Sequence, residues 1–427
     1  MLLPVLLGLG VAACGGGSPT TPSGPEPPTG AEEVRSQVAF DVSAAPEDDI
    51  AAVVRGDTAF ALDLLRETHE GGNLILSPLS IAMALAMLEP GARGETRDEL
   101  AAVLHETLTD DRLQPARGAL LEAVNAPPSS PSGNELEPFT LHAVNAWWAQ
   151  RGYPILPDYL DALARSYDAG GLLVDFEADP EAARRTINAW VEDQTEERIV
   201  ELVPRGVIDD LTRLVLTNAV YFKANWLHEF DQEQTADGPF TTDSGSQVTV
   251  PMMRVDARLG YVDADGFAAA WLPYVGEASM LVLLPDRDLA TMLDELTPEA
   301  LDAAAASRSD HLLTLTMPSF EFRSPLGLRR ALEALGLKAA FVPPPGGADF
   351  TGIVAEPELH LQDVIHQGFV SVDEKGTEAA AATAVVVGVA SAPPAAKLTL
   401  DRPFAFLIGH EPTGSILVAG AVTDPRG

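Results

Sequence analysis

The chain has 427 residues, of which 46% are apolar and 21% are charged. This composition excludes general disorder and supplies a sizeable core, whereas length alone leaves the number of domains open. Acidic residues number 63 against 27 basic ones, and the formal net charge is -36. A charge of this sign repels phosphate backbones and anionic lipid surfaces, so no nucleic acid partner is expected.

The first residues have the pattern of a secretion signal. An apolar run extends from Leu2 to Ala13, and it is shorter than the roughly 20 residues that span a bilayer. Val11-Ala12-Ala13-Cys14 resembles the bacterial lipobox, which predicts a signal peptide over 1–13 and lipidation of Cys14. We then expect a lipoprotein of the cell envelope, held at the outer membrane or surface by this anchor alone. The alternative is an unmodified cysteine within a cleaved signal. No Lys or Arg precedes the run, so the true translation start is open.

Residues 14–47 are predicted to form a flexible tether behind this cysteine. The stretch from Gly15 to Gly30 is rich in Gly, Pro, Ser and Thr and cannot bury a core. A single folded domain is predicted to span 48–427. It begins with a helix, because apolar residues recur at helical spacing from Ile50 to Leu65.

Further helices are predicted where a capping side chain precedes proline or lies three residues before glutamate. A Pro- and Ser-rich loop insertion is predicted over Ala126 to Pro138. The predicted helix starts are Ser77-Pro78, Thr96-Arg97-Asp98-Glu99, Asp179-Pro180-Glu181, Thr297-Pro298-Glu299 and Ser324-Pro325, the last helix ending at Gly336.

Beyond Leu214 the segments become β-branched, aromatic or alternating, which predicts strands. Helices therefore concentrate in the first half and strands in the second, without regular βαβ alternation. This order indicates an α+β fold with large, mixed or antiparallel β-sheets.

Familiar catalytic motifs are missing from the sequence. None of the His-Glu pairs is followed by a second histidine at zincin spacing, and no serine lies three residues before a lysine. No G-x-S-x-G elbow, Walker loop or dinucleotide fingerprint occurs. Thr242-Asp243-Ser244-Gly245 lacks the leading glycine of a serine protease nucleophile loop and predicts a hairpin turn. We expect no enzymatic activity, metal or cofactor.

One long segment, Asp373 to Pro394, is not assigned to a helix, a strand or a short loop by these signals. After Gly376 it alternates small and β-branched residues on one face, which is the pattern of a strand. The segment is nevertheless longer than most loops, so it could be an exposed loop able to join a sheet. On composition alone, an Ala-rich helix or a linker fits as well.

The sequence around this segment resembles the reactive-loop hinge of serpins, and the rest of the chain from about Asp48 to Pro425 resembles that family too. The agreement in order overturns the linker alternative. The motifs similar to serpin signatures are Asn73–Ser80, Gly91–Thr96, Asn218–Trp226, Leu272-Pro273-Tyr274, Leu283-Leu284-Pro285, Asp373–Glu378 and Arg402–Phe406.

The resemblance implies a serpin fold with an exposed reactive-centre loop over about 375–394. It also implies three groups of site residues. The hinge comprises Glu374, Gly376, Thr377, Glu378, Ala379, Ala381 and Thr383; the shutter, a buried polar cluster under the sheet, comprises Ser77, Ser80, Asn218 and His366; and the breach, where insertion begins, comprises Trp226 and Glu374.

The implied activity is inhibition of a serine protease. Family spacing places the attacked bond sixteen residues after Glu374, at Ala390-Ser391, and a small residue there favours elastase-like or subtilisin-like proteases. We expect a monomer that forms a covalent 1:1 complex and needs no heparin, since Arg93 to Arg117 is acidic. The alternative is a non-inhibitory serpin, acting as a carrier or folding helper.

Overall fold

A computed structural model describes residues 27–42, 45–126, 139–195, 197–356, 358–377 and 394–427, without the side chains of 142–144. The predicted signal peptide, Cys14, the insertion from residue 127 to 138 and residues 378–393 lie outside these ranges. None of the helices within them is long and apolar enough to cross a membrane.

Helices concentrate in the first half of the chain, as the sequence predicts. In chain order they are α1 (Glu47–Thr68), α2 (Pro78–Ala86), α3 (Gly94–Val103), α4 (Asp110–Asn125), α5 (Pro157–Tyr167), α6 (Pro180–Gln194), α7 (Leu289–Glu295), α8 (Pro298–Ser307) and α9 (Arg329–Leu335).

The strands form two mixed sheets, which confirms the α+β class. In chain order they are β1 (Glu32–Val34), β2 (Leu74–Leu76), β3 (Thr140–Gln150), β4 (Gly171–Val174), β5 (Leu214–Asn225), β6 (Ala236–Thr241), β7 (Gln247–Asp263), β8 (Phe267–Pro273), β9 (Ala278–Pro285), β10 (Ser309–Pro318), β11 (Phe320–Gly327), β12 (Leu361–Val372), β13 (Gly376–Thr377), β14 (Ala395–Thr399), β15 (Phe404–His410) and β16 (Ser415–Val422).

We call the first sheet the main sheet, and its strands follow the order β1-β4-β3-β5-β13-β12-β11. The second has the order β14-β10-β7-β8-β9-β15-β16-β2, with β6 paired to β7. The main sheet is buried on both faces. Successive side chains of a strand point to opposite faces of its sheet, and two neighbouring residues of β3 show that both faces are covered. Trp147 of β3 lies in the large core with α2, whereas Trp148 packs edge-on against Trp190 of α6 on the other face.

The N-terminal boundary differs from the prediction of a tether up to residue 47. Residues 32–34 add an antiparallel strand to β4 at the edge of the main sheet. Arg35 forms an ion pair with Asp168, and Ser36 bonds to Asp161. An ion pair and a hydrogen bond thus hold this segment in place. The sequence predicted a tether because the segment contains few apolar residues, and that pattern does not reveal polar contacts.

Two predicted helix starts are wrong, and three are confirmed by side-chain caps at Ser77, Asp179 and Thr297. Helix α3 begins at Gly94 without a capping box, because the Thr96 hydroxyl accepts a hydrogen bond from the Asp349 backbone instead. The pair Ser324-Pro325 lies within β11.

Strand β11 tolerates this proline because it is the outermost strand of the main sheet, where an N–H can be absent from the ladder. The helix predicted there begins four residues after the proline, at Arg329. It does end before Gly336, whose φ of 118° suits a glycine C-cap. The Thr242–Gly245 stretch lies in the predicted hairpin turn, between β6 and β7.

Helices α1, α3 and α4 are joined by a group of buried charges. The Arg117 guanidinium lies 3.1 Å from Asp57 and 3.3 Å from Glu106, while Arg97 lies 3.0 Å from the other oxygen of Glu106. Burial raises the pKa of the neighbouring Glu89 carboxyl well above its usual range, and the adjacent Glu106 carboxyl raises it further. Burial raises the pKa of Asp57 as well, so three buried carboxyl groups face two guanidinium groups and at least one of them, Glu89, retains a proton to higher pH.

Candidate functional site at the split main sheet

The site begins where two strands of the main sheet separate. Strands β5 and β12 pair in parallel from Leu214 with Leu361 to Tyr221 with Phe369. Beyond this point they diverge, and β13 lies between them, antiparallel to both. The main sheet is therefore closed over most of its length and open at one end, with two residues of the loop already inserted.

A tight turn after β12 directs the chain back into this opening. Asp373 donates its backbone N–H to the Gly376 carbonyl at 2.9 Å, while its carboxylate accepts the N–H groups of Lys375 and Gly376 at 2.8 and 3.1 Å. An aspartate at this turn position satisfies backbone donors that a change of strand direction leaves unpaired. The described part of the predicted hinge, up to Thr377, thus forms a β-hairpin whose second strand is β13.

The two inserted residues fit because they are small. A Cβ atom on Gly376 would lie 2.0 Å from the Ala224 carbonyl oxygen, so only glycine allows this approach to β5. Thr377 is completely buried, and its hydroxyl bonds to the Tyr274 hydroxyl at 2.8 Å. As the hinge prediction requires, Thr377 faces inward, and its one polar group has a partner there.

The predicted breach residues surround this hairpin. The Trp226 ring stacks on Tyr274 with centroids 4.3 Å apart, and its indole N–H donates to the Asp373 carbonyl at 3.0 Å. Its backbone N–H donates to the Lys375 carbonyl at 2.8 Å. The Glu374 carboxylate accepts a hydrogen bond from the Thr235 hydroxyl at 2.7 Å. The structure therefore brings Trp226 and Glu374 together around the start of the loop.

The four predicted shutter residues also meet, beneath the closed part of the sheet. The imidazole of His366 donates from Nδ1 to the Asn218 carboxamide oxygen and accepts from the Ser77 backbone N–H at Nε2, at 3.3 Å. Asn218 donates to the Ser80 hydroxyl at 2.6 Å, and all four side chains are buried. Because His366 lies on β12, Asn218 on β5 and both serines on or before α2, the cluster ties both strands to one helix.

The histidine in this cluster is held in its neutral form. Burial lowers the pKa of His366 to about 3, since a protonated imidazole would be desolvated without a counter-ion. A proton on Nε2 would also face the Ser77 N–H, which is itself a donor. The shutter hydrogen bonds therefore require an uncharged His366.

Sequence reasoning missed two members of the site. Asn145 of β3 accepts hydrogen bonds from Ser80 at 2.8 Å and from Asn218, which extends the shutter to a third strand. Its signal was an asparagine beside the apolar run of β3 that contains Trp147 and Trp148, since buried polar groups need partners. Tyr274 lay within a recognised motif, yet nothing in the sequence indicated that it would receive Thr377.

The remaining predicted site residues fall outside the described ranges. The described chain resumes at Pro394, whose carbonyl accepts the Leu312 N–H at 2.9 Å. Strand β14 then pairs in parallel with β10. Both ends of the predicted reactive-centre loop are thus fixed to sheets, one in each. The residues that lie outside are Glu378, Ala379, Ala381, Thr383, Ala390, Ser391 and Cys14.

Among the described residues, no cluster of His, Cys, Asp or Glu could hold a metal ion. The site is a main sheet whose β5 and β12 separate at one end, with Gly376 and Thr377 between them. Residues 55–425 match the family model described as Serpin (serine protease inhibitor).

Relatives and solved structures agree with this match. The chain is 38% identical over 381 residues to a serpin-like protein of Thermococcus kodakarensis, covering 88% of this chain and 86% of that one. It is 35% identical over 383 residues to the leukocyte elastase inhibitor of Equus caballus, covering 86% and 98%. Human thyroxine-binding globulin has a similar structure, with a TM-score of 0.78, 27% identity and coverage of 89% and 100%.

The chain belongs to the serpin family. Its members are protease inhibitors or binding proteins rather than catalytic enzymes.

Proposed function

We propose that this protein inhibits serine proteases as a suicide substrate. The observation that carries the proposal is Thr377, a small side chain already buried between β5 and β12 with its hydroxyl paired. A bulky or charged side chain at this position would obstruct insertion, and a non-inhibitory serpin would be expected to carry one. The similarity to a leukocyte elastase inhibitor supports the same function.

In the proposed reaction the protease serine attacks the carbonyl carbon of Ala390. The bond to the Ser391 nitrogen breaks, the new amine takes a proton, and Ala390 remains as an ester on the protease. The freed strand then enters the sheet from Thr377 onward. From Gly376 to Ala390 it would span roughly 46 Å at about 3.3 Å per residue, which carries the protease far from its docking position before water cleaves the ester.

The main sheet can supply the energy for this movement. Each inserted residue replaces one parallel β5–β12 pairing with two antiparallel pairings, as β13 already does. The net gain is one ladder, or about ten hydrogen bonds at about 1 kcal/mol each. That sum of about 10 kcal/mol is comparable with the stability of a whole domain, so insertion is effectively irreversible.

We assign elastase-like or subtilisin-like proteases as targets, because Ala390 suits a shallow apolar pocket. The test incubates the protein with elastase, subtilisin, chymotrypsin and trypsin, followed by SDS gels and mass analysis of the released peptide. We expect a covalent 1:1 complex with a small-pocket enzyme and a peptide that begins at Ser391. Ala390→Arg should redirect inhibition to trypsin, and Val389→Arg is the register control. Cleavage without any stable complex would favour the non-inhibitory alternative.

We also propose that Cys14 anchors the protein by lipid in the cell envelope. The supporting pattern is the apolar run followed by Val11-Ala12-Ala13-Cys14. Expression in a bacterium with radiolabelled palmitate, followed by detergent-phase partition, tests this anchor. Wild type should carry label and Cys14→Ala should not; equal labelling of both would refute it.

A further inference from the structure

A large cavity opens between the helices and the edge of the main sheet. It has a volume of about 790 Å³ and is lined by residues of α2, α4, β3 and β4, together with Trp190 and Gln194 of α6. This volume is typical of sites for drug-sized molecules. The apolar side chains in its wall include Met83, Met87, Leu121 and Trp147.

Among the charged side chains of the wall, acidic ones outnumber basic ones. Glu33, Glu122 and Asp168 line the cavity, and Arg35 is the guanidinium among them. Arg35 already pairs with Asp168 and lies 3.9 Å from Glu33. Glu122 is exposed and has no ion pair with another described residue. Three carboxylates against one guanidinium leave a net negative charge beside an apolar interior, which favours a cation with a hydrocarbon chain.

We propose that this cavity binds a cationic amphiphile, with its hydrocarbon chain against Leu121 and Trp147 and its ammonium group near Glu122. A chain of about ten carbons is about 12 Å long, which a cavity of this volume accommodates. Burial of such a chain contributes about 0.8 kcal/mol of binding free energy per methylene. The carboxylates favour a positively charged head group over a negatively charged one.

The cavity is coupled to the shutter through β3. Asn145 lines the cavity and accepts the hydrogen bonds from Ser80 and Asn218. If the loop inserts between β5 and β12, the block formed by β1, β4, β3 and β5 must move by about one strand spacing, about 4.8 Å, relative to β12. That movement displaces β3 and β4 against α2 and changes the cavity.

A ligand that fits the resting cavity therefore binds the uninserted state in preference, and it opposes insertion. This regulatory consequence rests on the proposed function, whereas the binding itself does not.

The experiment measures binding of decylamine by titration calorimetry, in the absence of protease and below the concentration at which the amine forms micelles. Decanoate has the same chain with the opposite charge and serves as the matched ligand. Two variants alter the cavity: Leu121→Trp fills it, and Glu122→Lys reverses a charge at its wall. Glu67→Lys on α1 makes the same charge change away from the cavity and is the control.

We expect saturable 1:1 binding of decylamine, at least tenfold tighter than that of decanoate. Leu121→Trp should weaken both ligands, and Glu122→Lys should reduce the preference for the amine by at least fivefold, whereas Glu67→Lys retains it. Absence of saturable binding, or equal binding by wild type and Leu121→Trp, would overturn the site.

The regulatory step has its own readout. Saturating decylamine should slow formation of the covalent protease complex at least threefold in wild type and leave Leu121→Trp unaffected. An unchanged rate in wild type would refute the coupling to the shutter. If no protease forms a complex with the chain, the proposed function fails while the calorimetric result on the cavity still stands.

Discussion

Mild acid should weaken the shutter through His366. In the folded state the pKa of this imidazole is lowered from 6.5 to about 3 by burial, whereas in the unfolded chain it is ordinary. Between these values the unfolded state binds a proton that the folded state does not, so stability falls as the pH drops below about 6.5. From pH 7.5 to pH 5 the loss is about 2 kcal/mol, at 1.36 kcal/mol per pH unit over about 1.5 units.

The assay is urea unfolding followed by tryptophan fluorescence at several pH values from 7.5 to 5, on wild type and His366→Gln. Glutamine can donate to Asn218 and accept from Ser77 as the imidazole does, but it does not titrate. Every other titrating group is common to both proteins, so their difference isolates His366. We expect the advantage of wild type over the variant to shrink by about 2 kcal/mol at pH 5. Parallel pH curves for the two proteins would refute the assignment of a neutral, buried His366.

Three further outcomes are expected. Thr377→Arg should convert the inhibitor to a substrate, because burial of an unpaired guanidinium costs several kcal/mol; undiminished SDS-stable complex, with Thr377→Val as the small control, would contradict it. A carboxyl group whose pKa is raised by folding lowers the stability as the pH rises, so Glu89→Gln should raise the free energy of unfolding at pH 8 but not at pH 4.5. The gain at pH 8 is about 1.4 kcal/mol for each unit by which the pKa of Glu89 exceeds 4.5. Thermal unfolding at the two pH values measures this gain, and equal shifts at both would count against a protonated Glu89. Heparin at low salt should not accelerate inhibition, because Arg97 and Arg117 already bind carboxylates; a marked rate gain would disprove it.

The elements that the sequence predicted correctly have local causes. Helix α2 starts at a serine cap followed by proline, and α9 ends before a glycine with positive φ. The errors arose where tertiary contacts outweighed local signals. Thr96 bonds to a distant backbone instead of capping its own helix, and Ser324-Pro325 continues a strand because that strand is outermost.

The candidate site was only partly predictable for a related reason. Residue types and their order predicted which described residues meet at the hinge, breach and shutter, since most of them lie in recognisable motifs. The depth of loop insertion depends on how β5 and β12 diverge, which no local pattern encodes. The roles of Asn145 and Tyr274 likewise depend on which strands become neighbours, because their partners are 65 and 103 residues away in the chain.

The pairing of β5 with β12 distinguishes a molecule that has not yet reacted with a protease from one that has. In the proposed mechanism this pairing opens once, and the added strand then blocks its return, so a cell neutralises only as many protease molecules as it has intact copies. Used copies would melt higher by on the order of 10 °C, from the gain of about 10 kcal/mol. A melting curve of protein recovered from cells would then contain two transitions, and their ratio would report what fraction of the molecules had already reacted with a protease.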